Sequence, residues 1–223
     1  SFGTGFYGSV HAKTSGSESK TDIVSTTNQA SNIYTSGNIK IKSGKGDINQ
    51  IGSTVYSEDG DISYTAEDIN IKSSQDSFKQ TSKSKNYNAK VSFGSNGASA
   101  NVGAGKSKSS IDSLTHNNSV VEAGSGKITM QSEDTLSIVG GNVVGSEIAV
   151  EAENLNIESV QDEYYANNSS LSGGLGGGSG NANVNFGTSS GYTDSEWVGT
   201  QSGIEGSGKV DIKVKDETKL KGG

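Results

Sequence analysis

The stretch Ala66-Glu67-Asp68-Ile69-Asn70-Ile71-Lys72-Ser73-Ser74-Gln75-Asp76 returns as Ala152-Glu153-Asn154-Leu155-Asn156-Ile157-Glu158-Ser159-Val160-Gln161-Asp162, an offset of 86 residues. In both copies apolar and polar residues alternate through the middle, the period of a strand with one face buried. A chain that copies itself at a fixed offset is built from stacked units rather than around one globular core. This period is long for a propeller blade or a helical repeat. Each unit opens with short alternating runs and closes in a Gly/Ser-rich stretch, which predicts stacked β-coils interrupted by an insert.

The same grammar extends to either side. Gly37-Asn38-Ile39-Lys40-Ile41-Lys42 recurs as Gly126-Lys127-Ile128-Thr129-Met130-Gln131 and as Gly208-Lys209-Val210-Asp211-Ile212-Lys213. Each is a glycine turn followed by apolar-polar-apolar. A second strand follows each time: Ile48 to Ile51, Leu136-Ser137-Ile138 and Thr218-Lys219-Leu220, with Gly52, Gly140 and Gly222 just beyond. Two further strands complete the first two copies, Ile62-Ser63-Tyr64 with Ile69-Asn70-Ile71, and Ile148-Ala149-Val150 with Leu155-Asn156-Ile157. Ile39 to Ile62 spans 23 residues and Ile128 to Ile148 spans 20, so one coil takes roughly that length.

Coils stacked at ~4.8 Å place these residues in internal aliphatic columns. One column is expected to hold Ile39, Ile62, Ile128, Ile148 and Val210, and the next Ile48, Ile69, Leu136 and Leu155. The alternation falters at Gln50, which predicts a register shift or bulge there. The expected division is an insert tail at 1–30, two coils at 31–76, a hairpin insert at 77–118, two coils at 119–162, a second insert at 163–202 and a partial coil at 203–223. Both ends look uncapped, as in a piece of a longer rod.

The insert centres read as hairpins. Val91-Ser92-Phe93-Gly94 leads through Ser95-Asn96-Gly97 into Ala98 to Val102, and Leu171 to Leu175 leads through a Gly176 to Gly180 turn into Asn181 to Phe186. Two coils advance a stack by ~9.6 Å, and the two strands of one hairpin occupy the same ~9.6 Å in a sheet. Successive inserts are therefore expected to pair edge to edge into a second sheet running alongside the coils.

Composition narrows the function. Hydrophobic residues make up 29% and aromatics 6% of 223 residues, too lean for one large core. Proline, which cannot donate to a ladder, is absent, and so is cysteine, which excludes a disulfide framework and thiolate chemistry. All 18 cationic residues are lysine in a chain of net charge −7, so no basic face is expected and no bidentate guanidinium contact is available for nucleic acid. No apolar run reaches the ~18 residues of a membrane-crossing helix. Ser1 stands mid-pattern without a charged-then-apolar leader, so any export signal is expected outside this stretch.

Units of two β-coils ending in Gln75-Asp76 or Gln161-Asp162, followed by a Gly/Ser-rich insert, resemble the second haemagglutinin-repeat region of filamentous haemagglutinins and of contact-dependent growth-inhibition effectors. Ser73-Ser74-Gln75-Asp76, Ser159-Val160-Gln161-Asp162 and the Gly126 and Gly208 strand starts carry the resemblance, which covers nearly the whole chain. It implies an all-β, right-handed parallel β-helix exported by two-partner secretion through an outer-membrane transporter to the bacterial cell surface. A structural and adhesive stalk that meets a host or neighbouring-cell receptor or glycan is the expected role. The alternative is a region that associates with a target outer membrane during toxin delivery, and a more distant one is a polysaccharide-active β-helix enzyme. The missing arginine and scattered acids argue against that last reading.

Other chemistry reads weakly. Gly44-Lys45-Gly46-Asp47 and Glu58-Asp59-Gly60-Asp61 resemble calcium-binding turns, but those recur every nine residues and these do not. Asp112, Ser113 and His116 lack a nucleophile elbow. His11 and His116 lack the ligand cluster of a zinc site. Gly173 to Gly180 follows no strong strand and precedes no helix, so a hairpin turn is expected there rather than a phosphate loop. Asn117-Asn118-Ser119 and Asn168-Ser169-Ser170 fit the glycosylation pattern as chance does in so Asn- and Ser-rich a chain. No enzyme activity, cofactor or metal is expected. Tyr164, Tyr165, Tyr192 and Trp197 gather in one insert as a candidate contact patch for sugar or protein, or as a cover for the side of the coils.

Overall fold

The computed structural model describes residues 8–95 and 97–222; Ser1, the rest of 1–7, Asn96 of the predicted turn and Gly223 lie outside them. The described residues form strands and turns, with no helix. In chain order the strands begin with β1 (Val10–Thr26), β2 (Asn32–Thr35), β3 (Ile39–Lys42), β4 (Ile48–Ile51), β5 (Thr54–Ser57) and β6 (Ile62–Ala66). They continue with β7 (Ile69–Lys72), β8 (Ser74–Gly94), β9 (Gly97–Asn117), β10 (Ser119–Ser132), β11 (Thr135–Val139) and β12 (Gly141–Ala152). The last six are β13 (Asn154–Glu158), β14 (Asp162–Gly178), β15 (Asn181–Trp197), β16 (Gly203–Gly206), β17 (Val210–Val214) and β18 (Thr218–Lys221).

Two compact units result. One comprises Ser25–Ser77, Ser113–Glu163 and Ser195–Gly223, the other Ser1–Val24, Phe78–Asp112 and Tyr164–Asp194.

In the first unit the strands pair in parallel along three strips. Ile39 pairs with Ile62, Ile62 with Ile128, Ile128 with Ile148 and Ile148 with Val210, which is the first expected column. Ile48, Ile69, Leu136 and Leu155 form the second in the same register. Each column buries branched aliphatic side chains that a pleated surface accommodates well. Ile62, Ile69, Ile128 and Leu136 are fully enclosed, whereas Val210 at the edge of its strip is 40% exposed. Each rung thus buries only a few side chains, as Val55, Ile62, Tyr64, Ala66, Ile69 and Ile71 do in one, and a lean composition suffices to fill it.

A third strip joins β2, β5, the starts of β10 and β12, and β16. The sequence pattern did not announce it. Its inward positions include Val55, Ser57, Val121 and Ala123, and it contains glycines such as Gly141 and Gly145, so its alternation is diluted by small and polar residues. Ser57 is nonetheless satisfied: its hydroxyl donates to Gly37 O at 2.8 Å and accepts from Gly60 N at 3.0 Å.

The expected bulge at Gln50 is absent. β4 runs straight, with Gln50 opposite Ile71 and Ile51 opposite Lys72. Gln50 itself occupies the inward position and Ile51 points out, 56% exposed, which is why the apolar pattern looked broken. The buried amide is fully used. Gln50 Nε2 donates to Ser53 O at 2.7 Å and Val120 O at 2.9 Å, and Oε1 accepts the Tyr64 hydroxyl at 2.7 Å. The register shift lies elsewhere, between Ala123 and Lys127 where β10 turns from one strip to the next.

Turns stack as tightly as strands. A methyl on Gly60 would meet Gly37 carbonyl carbon at 2.2 Å, and one on Gly126 would meet Gly60 O at 2.1 Å. Only hydrogen fits there. Asn38 Oδ1 accepts the Asp61 amide and Asp61 Oδ1 accepts the Lys127 amide, both at 2.8 Å, so side chains carry the ladder round the corner.

In the second unit five strands form one sheet in the order β1-β8-β9-β14-β15. Successive inserts therefore pair edge to edge, as expected. The Gly176 to Gly180 turn is shorter than expected: Gly176 to Gly178 continue β14, and only Ser179 and Gly180, with φ +88°, remain for the reversal.

Candidate functional site

The insert sheet has two chemically distinct faces. The Ser84–Ser107 hydroxyl contact at 2.8 Å and the Lys79–Asp112 ion pair at 2.7 Å share one antiparallel register of β8 on β9. Side chains alternate across a strand, so this register fixes both faces.

One face is a carpet of asparagine over glycine. Asn86 Oδ1 lies 2.5 Å from where a methyl on Gly105 would sit, and Asn88 Oδ1 is equally close to that of Gly103. Asn185 covers Gly174 and Asn183 covers Gly176 in the same way. Glycine in these strands makes room for the neighbouring carboxamides, which explains a run that composition alone reads as flexible.

The opposite face carries apolar and cationic side chains. Lys85 stands opposite Lys106 and Lys83 opposite Lys108, four exposed ammonium groups side by side. Among the described residues none of the four is in an ion pair, although the register that sets Gly16 beneath Tyr87 and Thr21 against Ser82 places Glu18 across from Lys85 on this face. An open depression of about 500 Å³ adjoins them, lined by Lys85, Tyr87, Lys106, Leu171, Gly173 and Phe186 among others. The Tyr87 ring lies across Gly16, where a methyl would come within 2.5 Å of it, and Phe186 lies beside Gly173. Both rings are left open to solvent, Tyr87 at 59% and Phe186 at 74% exposure. This insert unit holds eight lysines against four acids, +4, while the stacked unit holds ten against twenty-one, −11, together the chain's −7.

The aromatics singled out in the sequence are distributed as follows. Tyr165 and Tyr192 meet edge to face with centroids 5.4 Å apart. The Tyr192 hydroxyl donates to Asp194 Oδ2 at 2.8 Å, and that hydrogen bond holds its proton above the ordinary phenol range. Tyr164, half-buried, projects from the other side of β14, and Trp197, 45% exposed, belongs to the stacked unit. Sequence reasoning missed Tyr87 and Phe186, and the lysine quartet overturns the expectation that the chain has no basic face, because net charge averages a positive insert unit with a negative stacked one. Folding the first insert about its turn would have set Lys85 against Lys106.

The repeated Gln-Asp pairs hold the stacked unit where the chain leaves for and returns from an insert. Asp162 Oδ1 accepts the His116 amide at 2.6 Å and lies 3.3 Å from its Nδ1, with Gln75 Nε2 3.0 Å from Nε2. Asp76 does the same for Asn28, accepting its amide at 2.8 Å, and takes Asn117 Nδ2 at 3.0 Å. His116 is thus engaged by Asp162 and Asp112 by Lys79, which disperses the Asp112-Ser113-His116 grouping. In the acidic turn at 58–61, Asp59 Oδ1 accepts the Ser125 hydroxyl and Asp61 a backbone amide. Among the described residues no group of three or more His, Cys, Asp or Glu could hold a metal ion. No helix there is long and apolar enough to cross a membrane.

Parallel rungs with in-register columns, punctuated by hairpins that pair with one another, define an all-β repeat protein. The hemagglutinin-repeat family matches residues 12–173, and the chain belongs to it. It is 31% identical over 173 residues to two proteins named tRNA nuclease CdiA from Burkholderia pseudomallei and to tRNA nuclease CdiA-2 from strain 1026b of that species. The alignment covers 74% of this chain but 13% of either CdiA and 5% of CdiA-2, so the chain spans a small part of those relatives. No solved structure matches. The likeness to the repeat region of filamentous haemagglutinins and contact-dependent inhibition proteins, exoproteins of two-partner secretion, rests on these findings together with the Gln-Asp copies.

Proposed function

We propose that this chain is a stalk segment, structural and adhesive, of a large secreted exoprotein at the bacterial cell surface. In this reading the three strips are the walls of a right-handed parallel β-helix. Residues 31–76, 119–162 and 203–223 supply coils, and 1–30, 77–118 and 163–202 supply inserts. The coils give length at ~4.8 Å each, and the inserts give surface for contact. The single observation that carries the reading is the five-strand insert sheet with large apolar side chains open to solvent, a surface that a mere spacer does not need.

No enzymatic role is proposed, since Asp61, Asp112, His116 and Asp162 are engaged in backbone and ion-pair contacts. The partners in this account are a receptor or glycan on a host or neighbouring cell and, for the parent protein, an outer-membrane transporter. Tyr165 and Tyr192, with Tyr164 and Trp197, are proposed as part of the contact surface. Beads coated with the 223-residue chain are expected to adhere to target cells above albumin-coated beads. Equal retention of the two would remove the adhesive part of the proposal.

A further inference from the structure

The register of the insert sheet sorts its exposed apolar side chains into lines. Thr21 meets Ser82 at 3.1 Å, Ser84 meets Ser107 at 2.8 Å, Ser170 meets Ser189 at 2.9 Å and Asn101 lies over Gly176, which aligns all five strands. Side chains alternate between faces, so Thr14, Ala89, Val102, Leu175 and Val184 stand in one line across the sheet, on the face that carries the lysines. The next line toward Lys85 holds the Tyr87 and Phe186 rings, with only Gly16, Ala104 and Gly173 between them. The next line toward the hairpin tips is small, Val91 standing among Ala12, Ala100, Gly177 and Ala182. Val10, Phe93 and Ala98 follow at the tips. No Lys, Asp or Glu stands in these lines, and charge begins beyond the rings with Glu18, Lys85 and Lys106.

A sheet buries its apolar face against a second layer, and this face is bare. Val102, Leu175, Val184 and Phe186 are each more than half exposed. The four uncharged lines cover about 27 Å along the strands and about 24 Å across them, roughly 650 Å². That is more than the ~300–600 Å² of the largest apolar patch on an ordinary monomer. Counted on two surfaces it comes to about 1,300 Å², within the range of a specific protein interface.

The distribution of side-chain size and of charge points to the same face of a second copy. A two-fold axis crossing the strands at the Val102 line lays each strand against its own copy, running the opposite way. The ring line of one sheet then meets the small line of the other, with Phe186 over Ala182. Leu175 meets its counterpart between Gly173 and Gly177, which leave it room. Lys85 and Lys106 fall beside the neutral tip residues Phe93 and Ala98 of the other copy. An axis along the strands would instead set these lysines against themselves, which like charge opposes. A lipid surface is entered by protruding apolar tips, whereas the tips here end in Ser95, Ser179 and Gly180.

We propose that two copies of this chain pair face to face through the apolar lines of their insert sheets, about a two-fold axis at Val102. The sheets pack ~10 Å apart as in a β-sandwich. The contact uses the same patch on both copies, so it closes on a dimer and does not propagate. It goes beyond the adhesive reading, because Tyr165 and Tyr192 lie outside the paired lines and stay open for contact.

The test is sedimentation velocity of the 223-residue chain across the micromolar range, where a reversible dimer is expected. Leu175→Lys with Val184→Lys places unpaired charge in the contact and should weaken association about tenfold or more. Both positions are exposed, and circular dichroism checks that the variant stays folded. Replacing Lys83, Lys85, Lys106 and Lys108 by glutamine should change association by no more than about threefold, because the crossing axis keeps these charges apart. The chain has no native cysteine, so a short bis-maleimide can report the axis directly. It should join Val102→Cys to its own copy and fail with Ala98→Cys, whose two copies stand about 27 Å apart across the axis. A chain that stays monomeric, a dimer that survives the double lysine variant, or equal cross-linking of the two cysteine variants overturns the pairing. A gain of about tenfold or more on glutamine substitution overturns the crossing axis. Flotation of an otherwise monomeric chain with phosphatidylglycerol vesicles overturns the pairing and gives the face to lipid. Bead adhesion to target cells reads the adhesive proposal separately, so a failure to pair leaves that proposal standing.

Discussion

The hydroxyl of Tyr64 donates a 2.7 Å hydrogen bond to Gln50 Oε1 inside a core otherwise made of aliphatic side chains. Both residues are buried, and the Gln50 amide also holds Ser53 O and Val120 O, so this polar contact ties two strips of the stack together. Removing one partner strands the other. Tyr64→Phe leaves Gln50 Oε1 without a donor and is expected to cost about 1–3 kcal/mol. Urea unfolding at neutral pH measures it, and an unchanged midpoint would contradict the role given to the pair.

The same contact predicts an alkaline limit. Burial raises the Tyr64 phenol above its ordinary value of 10.0, so the folded chain keeps it neutral where the unfolded chain ionises it. Its contribution is complete below that ordinary value and is lost as pH climbs above it toward the raised folded value. Stability should therefore decline above about pH 10 in the native chain and decline less in Tyr64→Phe. Parallel alkaline curves for the two would contradict this.

Asp162 and Asp76 occupy equivalent places but differ in enclosure. Asp162 is 7% exposed and caps the His116 amide, while Asp76 caps Asn28 at a more open site. Asp162→Ala should cost about 1–3 kcal/mol, and Asp76→Ala less, because water can replace the lost acceptor only at the open site. Thermal unfolding of the two variants gives the order.

The glycines divide by what surrounds them. Gly60→Ala forces a methyl into backbone at 2.2 Å and should destabilise the stack by at least about 1–3 kcal/mol, as overpacking does. Gly44 has open space around it, so Gly44→Ala should be nearly neutral. Hydrogen exchange of the Asp61 and Lys127 amides would show whether the damage is local to the stacked turns.

The aliphatic columns were legible because the alternation recurs at every rung from Ile39 through Ile148, and the 86-residue copy sets Ile62 against Ile148 and Ile69 against Leu155. Gln50 was misread because sequence patterning equates inward with apolar, and an amide with three partners satisfies the interior equally well. The strip through Val55, Val121 and Val143 was missed because serine and glycine share its inward positions. For the inserts, pairing followed from spacing alone, but their surface chemistry did not. Lys85 and Lys106 become neighbours only once the hairpin is closed, and the glycine run became intelligible only with Asn183 and Asn185 lying over it.

Rungs separated in sequence by an insert lie in parallel register. Ser63 on β6 and Thr129 on β10 are register partners 66 residues apart, and the chain has no native cysteine. A Ser63→Cys, Thr129→Cys pair should form a disulfide readily under mild oxidation, since adjacent strands put its Cα atoms within the ~4.4–6.8 Å that a disulfide spans. The control pair Thr65→Cys with Thr129→Cys, two residues out of register, should not. Equal cross-linking of the two pairs, or cross-linking of the control alone, would contradict the stacked account.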